Sequence, residues 1–320
     1  MTMKELAKLA NVSPSTASKA FSGAEDVNEE TRQHIFAVAK ESGCYNRFFK
    51  GKFPKPIIAI IYPEIISQYY VRFVKVLSDL IEASGGICIV ATDDFQEKKQ
   101  EELIDYFCSY LNVDGILVFS LRSHLKKAYD TPIVVLLSSQ DETVDCVKTS
   151  FAIPINNLAE LLSDYGHQNI AFISESLTQK KLSLFQDAVA KHDMTLTVIE
   201  SSERFEKAGE DGVRQLIHKK VPFTTLVCAY DNIAYGAIKE LKKHGLRVPE
   251  DVSVIGMDNN IVSGYTETSL TSIDTDPDDM SKKAWGLLQA KLRNPYFKAQ
   301  RDITIPGTLV VRESVKRLDK

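Results

Sequence analysis

The sequence predicts an α/β protein in which an all-α N-terminal domain precedes a larger body with parallel sheets, and three observations support this fold class. Three short amphipathic helical stretches fill the first 45 residues. From Ile57 onward, apolar runs of strand length alternate with amphipathic helical patterns, which is typical of parallel strands covered by helices. The predicted strand–helix units are more numerous than the strands of a sheet of usual size, so we expect two similar lobes.

The first two helices of the N-terminal head are joined by a tight turn. Residues 4–10 place four apolar side chains on one stripe: Leu6, Ala7, Leu9 and Ala10. Asn11 ends this helix because asparagine tolerates the left-handed conformation that a tight exit needs. Ser13 is the predicted N-cap of the second helix, with Pro14 at its first position, and this helix runs to Phe21.

Asn28 is the predicted N-cap of a third helix, which completes a helix-turn-helix arrangement. In DNA-binding proteins the second helix of this motif enters the major groove. Here that helix carries short hydrogen-bonding side chains and one cation near the end where backbone amides favour a phosphate: Ser15, Thr16, Ser18 and Lys19. A small helical oligomerisation module is the alternative interpretation.

The body is predicted as a series of strands and helices. Apolar runs predict eight strands, at 57–62, 87–91, 115–119, 133–137, 170–173, 196–200, 225–229 and 252–257. Amphipathic patterns predict six helices, at 71–83, 98–111, 156–165, 181–192, 209–218 and 232–244. We expect the junction between the lobes in a loop near 138–151. Residues 46–56 are a predicted linker, stiffened at its end by Pro54 and Pro56.

Composition and charge narrow the class of protein. With 44% hydrophobic and 26% charged residues among 320, the chain is neither disordered nor fibrous. The sequence contains no apolar run long enough for a membrane span, and its N-terminus lacks the apolar core of a secretory signal. Its five scattered cysteines favour reduced thiols in the cytoplasm. The first 55 residues carry nine basic and six acidic side chains, a net charge of +3 in a chain of net charge −4. A basic head on an acidic body suggests that the head meets a polyanion, although charge alone fits chance equally well.

Signatures of enzymes are mostly absent from the sequence. It contains no dinucleotide-binding glycine motif, no phosphate loop and no nucleophile elbow. The histidines lack metal-ligand spacing, and we interpret His167 as structural. Four aspartates surround Pro277, where a solvated turn and a helix N-cap are a better interpretation than a cation site: Asp274, Asp276, Asp278 and Asp279. We therefore expect no catalytic residue, no metal and no cofactor.

Motifs along nearly the whole chain carry a resemblance to one family. In the head these are MKELAKLANVSPSTASKAFSG followed by VNEETRQHIFAVAKESG. In the body they are VDGILV at 113–118, GHQNIAFI at 166–173, DNIAYGAIKELKKHGLRVPEDVSVIGMDN at 231–259, LTSID at 270–274 and TLVVRES at 308–314. Together they resemble the lactose/galactose-repressor (LacI/GalR) transcriptional regulators, which implies a cytoplasmic repressor that binds a pseudo-palindromic double-stranded DNA operator as a homodimer.

The resemblance also implies that the body is a two-lobed type I periplasmic-binding-protein-like domain, which holds a small effector, most often a sugar, in the cleft between its lobes. Effector binding would favour one lobe arrangement and so change operator affinity. The implied limits are a head at 1–45, a linker at 46–56, an effector and dimerisation domain at 57–320, an N-subdomain at about 57–148 and 277–302, and a C-subdomain at about 149–276 and 303–320.

The resemblance assigns candidate residues to both sites. The expected base contacts are Pro14, Ser15 and Lys19, the expected phosphate or framework contacts are Thr16 and Ser18, and Asn28 and Arg47 are further expected DNA contacts. Asp258 falls at the family's sugar-hydroxyl-binding aspartate, and Lys181 at an arginine that clamps the effector. Five aromatic residues fall at cleft-lining positions, where ordinary core packing is the alternative: Tyr69, Tyr70, Phe73, Phe119 and Tyr230.

Several departures from the family pattern leave alternatives open. The stretch 44–46 lacks the proline that leads into the family's hinge helix, so Phe48, Phe49 or Phe53 would have to wedge into the minor groove. Lysine at Lys181 offers a point charge in place of a planar, bidentate arginine. Asp-Asn-like residues are absent near 150–151. The effector is not inferable, and a regulator without effector response, a sugar-binding protein without a DNA role and an α/β enzyme remain as alternatives.

Overall fold

The computed structural model describes residues 1–49, 55–294, 297 and 302–318. The chain folds into two compact units. Unit 1 consists of Met1–Glu64, Val74–Cys146 and Ser281–Asp302, and unit 2 consists of Ile65–Phe73, Val147–Met280 and Ile303–Lys320.

The head contains four helices, α1 (Met3–Leu9), α2 (Pro14–Ser22), α3 (Glu29–Glu41) and α4 (Tyr45–Phe49). The three predicted local signals are confirmed. Ser13 caps α2 by accepting a hydrogen bond from the backbone amide of Thr16, and Asn28 caps α3 in the same way. Asn11 adopts a φ of +52° in the turn between α1 and α2. Helix α4 straddles the boundary that the sequence predicts between head and linker.

The three main helices of the head enclose a small core of buried side chains, which are Leu6, Ala10, Ala20, Phe21, Val27, Ile35, Ala39 and Cys44. Leu9, which the sequence analysis placed on the buried stripe, is 58% exposed, so that prediction is wrong. At 100° per residue Leu9 lies about 60° to one side of Leu6, while Ala7 and Ala10 lie to the other side.

The first sheet has six strands, and four of them are parallel strands of unit 1. These are β1 (Ile57–Tyr62), β2 (Ile87–Thr92), β3 (Gly115–Leu121) and β4 (Ile133–Ser139). Strands β5 (Asp145–Ser150) and β11 (Asp302–Pro306) extend the sheet beyond β4, so that the strand order is β11-β5-β4-β3-β1-β2. The accompanying helices are α5 (Gln68–Ala83), α6 (Glu97–Asp105) with a π-helical continuation at Tyr106–Tyr110, and α11 (Pro277–Arg293).

Unit 2 contains a four-stranded parallel sheet in the order β7-β6-β8-β9. Its strands are β6 (Asn169–Ser174), β7 (Thr195–Glu200), β8 (Thr225–Cys228) and β9 (Ser253–Ile255), and its helices are α7 (Ala152–Asp164), α8 (Gln179–Val189), α9 (Phe205–His218) and α10 (Asp231–Lys243). Strands β10 (Ser272–Asp274) and β12 (Thr308–Val310) form a separate antiparallel pair. Apolar side chains from both faces of the sheet form one continuous core.

Two glycines fix the position of α10, whose N-terminus carries candidate site residues. A Cβ atom on Gly209 of α9 would lie 1.9 Å from the carbonyl oxygen of Ile233, and one on Gly236 of α10 would lie 1.8 Å from that of Glu206. Because each glycine faces the backbone of the opposite helix, α9 and α10 approach more closely than side chains would allow.

All eight predicted strands are present, and the predicted all-α head and parallel α/β body are confirmed. Strands β5, β10, β11 and β12 were not predicted. The loop expected near 138–151 instead contains β5, so that part of the prediction is corrected. The sequence of β5, DCVKTS, mixes polar with apolar residues and lacks the continuous apolar run that predicted the other strands.

Two local interpretations of polar residues are also confirmed. His167 is buried, with Nδ1 3.0 Å from Oγ1 of Thr224 and Nε2 3.0 Å from the carbonyl oxygen of Lys316, and burial lowers its pKa. Asp276 accepts a hydrogen bond of 3.0 Å from the backbone amide of Asp279 in the first turn of α11. His167 therefore ties elements together, Asp276 caps the first turn of α11, and Asp274 accepts a hydrogen bond from the amide of Asp276.

Candidate functional site

The outward face of α2 presents the polar side chains that the sequence singled out. Ala17 and Ala20 turn inward and are buried. The exposed residues of the helix include Pro14, Ser15, Ser18 and Lys19, while Thr16 is half-buried. The alanines anchor the helix on the head core, so the exposed side chains form one continuous surface.

Thr16 is engaged within the N-terminal cap of α2. Its backbone amide donates to Oγ of Ser13 at 3.0 Å, and its hydroxyl lies 2.7 Å from the same oxygen. These contacts suit a framework residue whose hydroxyl is already hydrogen-bonded.

Lys19 forms an ion pair across the turn that follows α2. Its ammonium donates to a carboxylate oxygen of Asp26, and this hydrogen bond lowers the pKa of Asp26. Both side chains are about half exposed, at 49% for Lys19 and 56% for Asp26. Sequence reasoning missed Asp26, because nothing in the spacing of residues 19 and 26 fixes the course of the turn between them.

The other candidate DNA contacts lie at the edges of the head. Asn28 accepts a 2.7 Å hydrogen bond from the amide of Thr31 and is exposed. Arg47 on α4 is exposed and donates to the carbonyl oxygen of Met1 at 3.3 Å. Phe48 packs against the head core, with its ring centroid 5.6 Å from that of Phe21.

Phe53 and the side chain of Phe49 lie outside the described residues. Phe48 is the remaining candidate, and its packing against Phe21 makes it part of the head core here.

A second cluster of polar side chains lies at the carboxyl ends of the strands in unit 2, where parallel α/β sheets place their ligands. Lys181, in the first turn of α8, reaches this edge. Its ammonium donates to the carbonyl oxygen of Ala229 at 2.8 Å, to that of Met257 at 3.0 Å and to Oδ1 of Asp258 at 3.2 Å. Because an ammonium has three N–H donors, these three acceptors use its full capacity.

Asp258 follows β9 and is the carboxylate of this cluster that pairs with Lys181. Burial raises its pKa to about 7, while the Lys181 charge opposes this shift and the nearby Asp231 charge adds to it. Its backbone amide donates to Oγ of Ser272 at 3.1 Å. Burial of this carboxyl therefore opposes its ionisation, while the ion pair with Lys181 favours it.

Asp231, which sequence reasoning missed as a site residue, anchors the loop that carries Asp258. It is fully buried and accepts hydrogen bonds from Oγ of Ser263 at 2.5 Å, Oγ of Ser272 at 2.6 Å and the amide of Asn260 at 2.8 Å. Burial raises its pKa. Its partners lie 29 to 41 residues away in the chain, so no local pattern could have indicated them.

Tyr230 and an ion pair between buried Glu175 and exposed Arg204 lie near the neighbouring strand ends. The hydroxyl of Tyr230 accepts a 3.1 Å hydrogen bond from the amide of Phe205, and burial raises its pKa. Glu175, directly after β6, is buried and accepts a 3.0 Å hydrogen bond from Nε of Arg204. Sequence reasoning missed both partners of this pair.

The remaining candidate aromatics differ in exposure. Tyr69 and Tyr70 are half-buried, with ring centroids 5.3 Å apart. Burial raises the pKa of Tyr69, and the Asp258 charge adds to this shift. Tyr69 therefore lies within the electrostatic range of Asp258. Phe73 packs on Tyr69 with no exposed surface, and Phe119, at the end of β3 in unit 1, is also fully buried. For these two phenylalanines the structure shows core packing.

The described residues offer neither a membrane-spanning helix nor a cluster of metal ligands. No helix within residues 1–49, 55–294, 297 and 302–318 is long and apolar enough to cross a membrane. In the same part of the chain, histidine, cysteine, aspartate and glutamate side chains form no group of three or more that could hold a metal ion. The cysteines in it are free thiols.

Two family models match the chain. The model for bacterial regulatory proteins of the lacI family matches residues 2–45, and the model for a periplasmic binding protein-like domain matches residues 159–315. The HTH-type transcriptional regulator AscG of Escherichia coli (strain K12) is 28% identical over 98% of both chains. The ribose operon repressor of Haemophilus influenzae is 25% identical over 99% of both.

Solved structures show the same fold. A LacI family transcriptional regulator from Enterococcus faecium with bound ribose superposes with a TM-score of 0.73 at 20% identity, covering 82% of this chain and 100% of the other. A lac repressor dimer bound to operator and the anti-inducer ONPF gives a TM-score of 0.72 at 18% identity, covering 99% of both chains. A regulator CelR in complex with cellobiose gives 0.70 at 22% identity, covering 98% and 99%.

Proposed function

The chain belongs to the lacI family of bacterial regulatory proteins, and we propose that it represses transcription by binding a pseudo-palindromic DNA operator as a homodimer, under the control of a small sugar-like effector. The family assignment rests on the lacI-type head, the periplasmic-binding-protein-like body and the relatives that match nearly end to end. The observation that carries the DNA-binding part is the continuous exposed polar face of α2.

In this proposal α2 lies in the major groove. Pro14, Ser15 and Lys19 face base edges, while Thr16 and Ser18 support the helix or meet phosphates. Lysine donates to the acceptors on guanine, and a serine hydroxyl suits any base edge. Asn28 and Arg47 contact the flanking phosphates from α3 and α4.

We propose the domain limits 1–45 for the head, 46–56 for the linker and 57–320 for the effector and dimerisation domain. The proposed linker begins at residue 46, within α4, so its first residues would be helical. The contact of Phe48 with Phe21 supports a linker whose first residues remain attached to the head.

Asp258 carries the effector part of the proposal. It stands at the carboxyl end of a parallel strand, and a carboxylate there accepts charge-assisted hydrogen bonds from ligand hydroxyl groups. Tyr69, Tyr70 and Tyr230 offer half-buried ring faces for a sugar ring or a flat base. Phe73 supports the ring of Tyr69 from the core, and Phe119 lies in the core of unit 1.

The pairing of the cations favours an uncharged effector. Lys181 already donates to three protein acceptors, and Arg204 is paired with Glu175. A phosphate or carboxylate on the ligand would have to compete with the three acceptors of Lys181 and share the Arg204 charge with Glu175. A neutral, hydroxyl-rich ligand needs only the acceptor capacity of Asp258.

We propose binding without catalysis, in the cytoplasm where the operator lies. The carboxylates at the unit 2 site are engaged by protein donors, three on Asp231 and one from Arg204 on Glu175. Such carboxylates are suited to hold a loop in place. Incubation with sugars, nucleosides or their phosphates should give no product, and turnover of any of them would contradict the proposed absence of catalysis.

Two measurements test the proposed function. Selection from random duplexes should return a pseudo-palindromic sequence, and analytical ultracentrifugation should show that a dimer binds it. Recovery of duplexes without sequence preference would contradict the DNA role.

A thermal-shift screen should show stabilisation by neutral sugars or nucleosides and little by their phosphates. No stabilisation by any of them would identify a regulator without effector response, and a preference for phosphates would contradict the neutral effector.

A further inference from the structure

The turn between α2 and α3 carries a carboxylate directly against the proposed reading surface. Asp26 accepts a hydrogen bond from the ammonium of Lys19, the cation of α2. Both groups are about half exposed, so the pair lies at the surface that would face DNA. The pair leaves this part of the surface without net charge.

Hydrogen bonds and a buried side chain hold the turn on both sides of Asp26. The guanidinium of Arg32 donates to the carbonyl oxygens of Ala24 at 2.8 Å and Val27 at 3.1 Å. The side chain of Val27 is buried in the head core, and the amide of Ala24 donates to the carbonyl oxygen of Lys19 at 3.1 Å. The carboxylate of Asp26 is therefore positioned by the fold.

Phosphate and base contacts respond differently to such a pair. Attraction to the phosphate backbone depends on net positive charge and on the release of counterions. A base contact depends on hydrogen-bond geometry, and an ammonium that donates to one carboxylate keeps two donors for guanine O6 and N7. An ion-paired lysine therefore loses attraction for phosphates but can still recognise a base.

We infer that Asp26 is a specificity-determining residue, whose carboxylate withdraws Lys19 from phosphate contacts so that Lys19 contributes to binding only where a base offers it acceptors. This inference rests on the proposed DNA-binding function. It assigns to Asp26 a role against non-specific duplexes, which a protein can gain by weakening wrong complexes as well as by strengthening the right one.

The test compares Asp26→Asn with Glu25→Gln in the full-length protein. Glu25 is the neighbouring exposed carboxylate, so both variants remove one negative charge from the same turn, but only the first frees Lys19. Fluorescence anisotropy is measured with the selected operator and with an unrelated duplex between 50 and 200 mM salt, after circular dichroism has verified the fold.

We expect Asp26→Asn to bind the unrelated duplex about 3- to 10-fold more tightly at about 100 mM salt, with a salt dependence steeper by about 1. The operator should gain less, so the ratio of the two affinities falls. Glu25→Gln should change both affinities slightly and equally. In a Lys19→Ala background, Asp26→Asn should lose its additional effect, which isolates the pairwise term.

Two results would overturn the inference. One is equal behaviour of Asp26→Asn and Glu25→Gln, and the other is an effect of Asp26→Asn that persists without Lys19. A wild-type protein that shows no preference between operator and unrelated duplex would instead contradict the proposed function, and this is measured before any variant.

Discussion

The ammonium of Lys181 lies 3.2 Å from Oδ1 of Asp258. It also donates hydrogen bonds to the carbonyl oxygens of Ala229, directly after β8, and of Met257, after β9. One cation thus links the loop that carries the proposed ligand-binding carboxylate to the sheet beneath it. A ligand hydroxyl that binds Asp258 competes with, or adds to, this contact. If the effector binds Asp258 as proposed, we expect effector binding and the stability of unit 2 to be coupled through this pair.

Replacing Asp258 should remove the effector response. In Asp258→Asn the side chain keeps its size but loses the charge that strengthens hydrogen bonds from ligand hydroxyls. Thermal stabilisation by the ligand chosen in the screen should disappear, while operator affinity without ligand stays at the wild-type value. Asp187→Asn, an exposed aspartate on α8, is the control. Equal stabilisation of wild type and Asp258→Asn would show that the ligand binds elsewhere.

The protonation of Asp258 should appear in the pH dependence of stability. Its pKa is raised from 3.8 to about 7, so folding takes up a proton between those values. The stabilising contribution of the protonated carboxyl is complete below about pH 4 and is lost as the pH rises through 7. The melting temperature of wild type relative to Asp258→Asn should therefore fall between pH 5 and pH 8. A difference that stays constant over this range would contradict the raised pKa.

Lys181 should matter for folding as well as for the site. Its side chain is 18% exposed, and Lys181→Met would leave two strand-end carbonyls without this donor and Asp258 without its counter-charge. We expect a loss of about 2–4 kcal/mol in the free energy of unfolding, measured with urea. Lys180→Met, at the exposed neighbouring position, should change it by less than about 0.5 kcal/mol. Equal effects would mean that the ammonium contributes nothing beyond its surface charge.

Features that depend on neighbouring residues could be predicted from the sequence. The caps at Ser13 and Asn28 and the left-handed turn at Asn11 follow from side-chain chemistry within three residues, and all three are present. The eight apolar strands follow equally well, because buried parallel strands are continuous apolar runs. Strands β10 and β12, with three residues each, are too short to produce a pattern.

The candidate sites could be predicted only in part, because their chemistry depends on distant contacts. Asp231 is surrounded by donors from residues 260, 263 and 272, and Arg204 meets a glutamate 29 residues away. The pairing of Lys19 with Asp26 depends on the course of a turn that Arg32 fixes from the next helix. The resemblance singled out Lys181 and Asp258 as candidate effector-binding residues. The sequence did not indicate that Lys181 donates to three protein acceptors.

The cap of α2 should contribute to the stability of the head. Ser13→Ala removes the oxygen that accepts from the amide of Thr16, which costs about 1 kcal/mol for a typical N-cap. Ser15→Ala, two residues later on the exposed face, is the matched control and should cost less than about 0.5 kcal/mol. Both are measured by urea unfolding followed by circular dichroism. A neutral Ser13→Ala would show that water replaces the cap without loss.

Lys19 should distinguish base recognition from phosphate binding. If its ammonium reaches a base edge, Lys19→Ala weakens binding to the selected operator by about 1–3 kcal/mol and relaxes the preference at one position of each half-site. Because Asp26 already neutralises the ammonium, the salt dependence should change little. Lys8→Ala, an exposed lysine on α1, should affect operator and unrelated duplex alike. Titrations in which Lys19→Ala keeps the wild-type affinity and sequence preference would remove Lys19 from the reading surface, and a uniform loss would make it a phosphate contact.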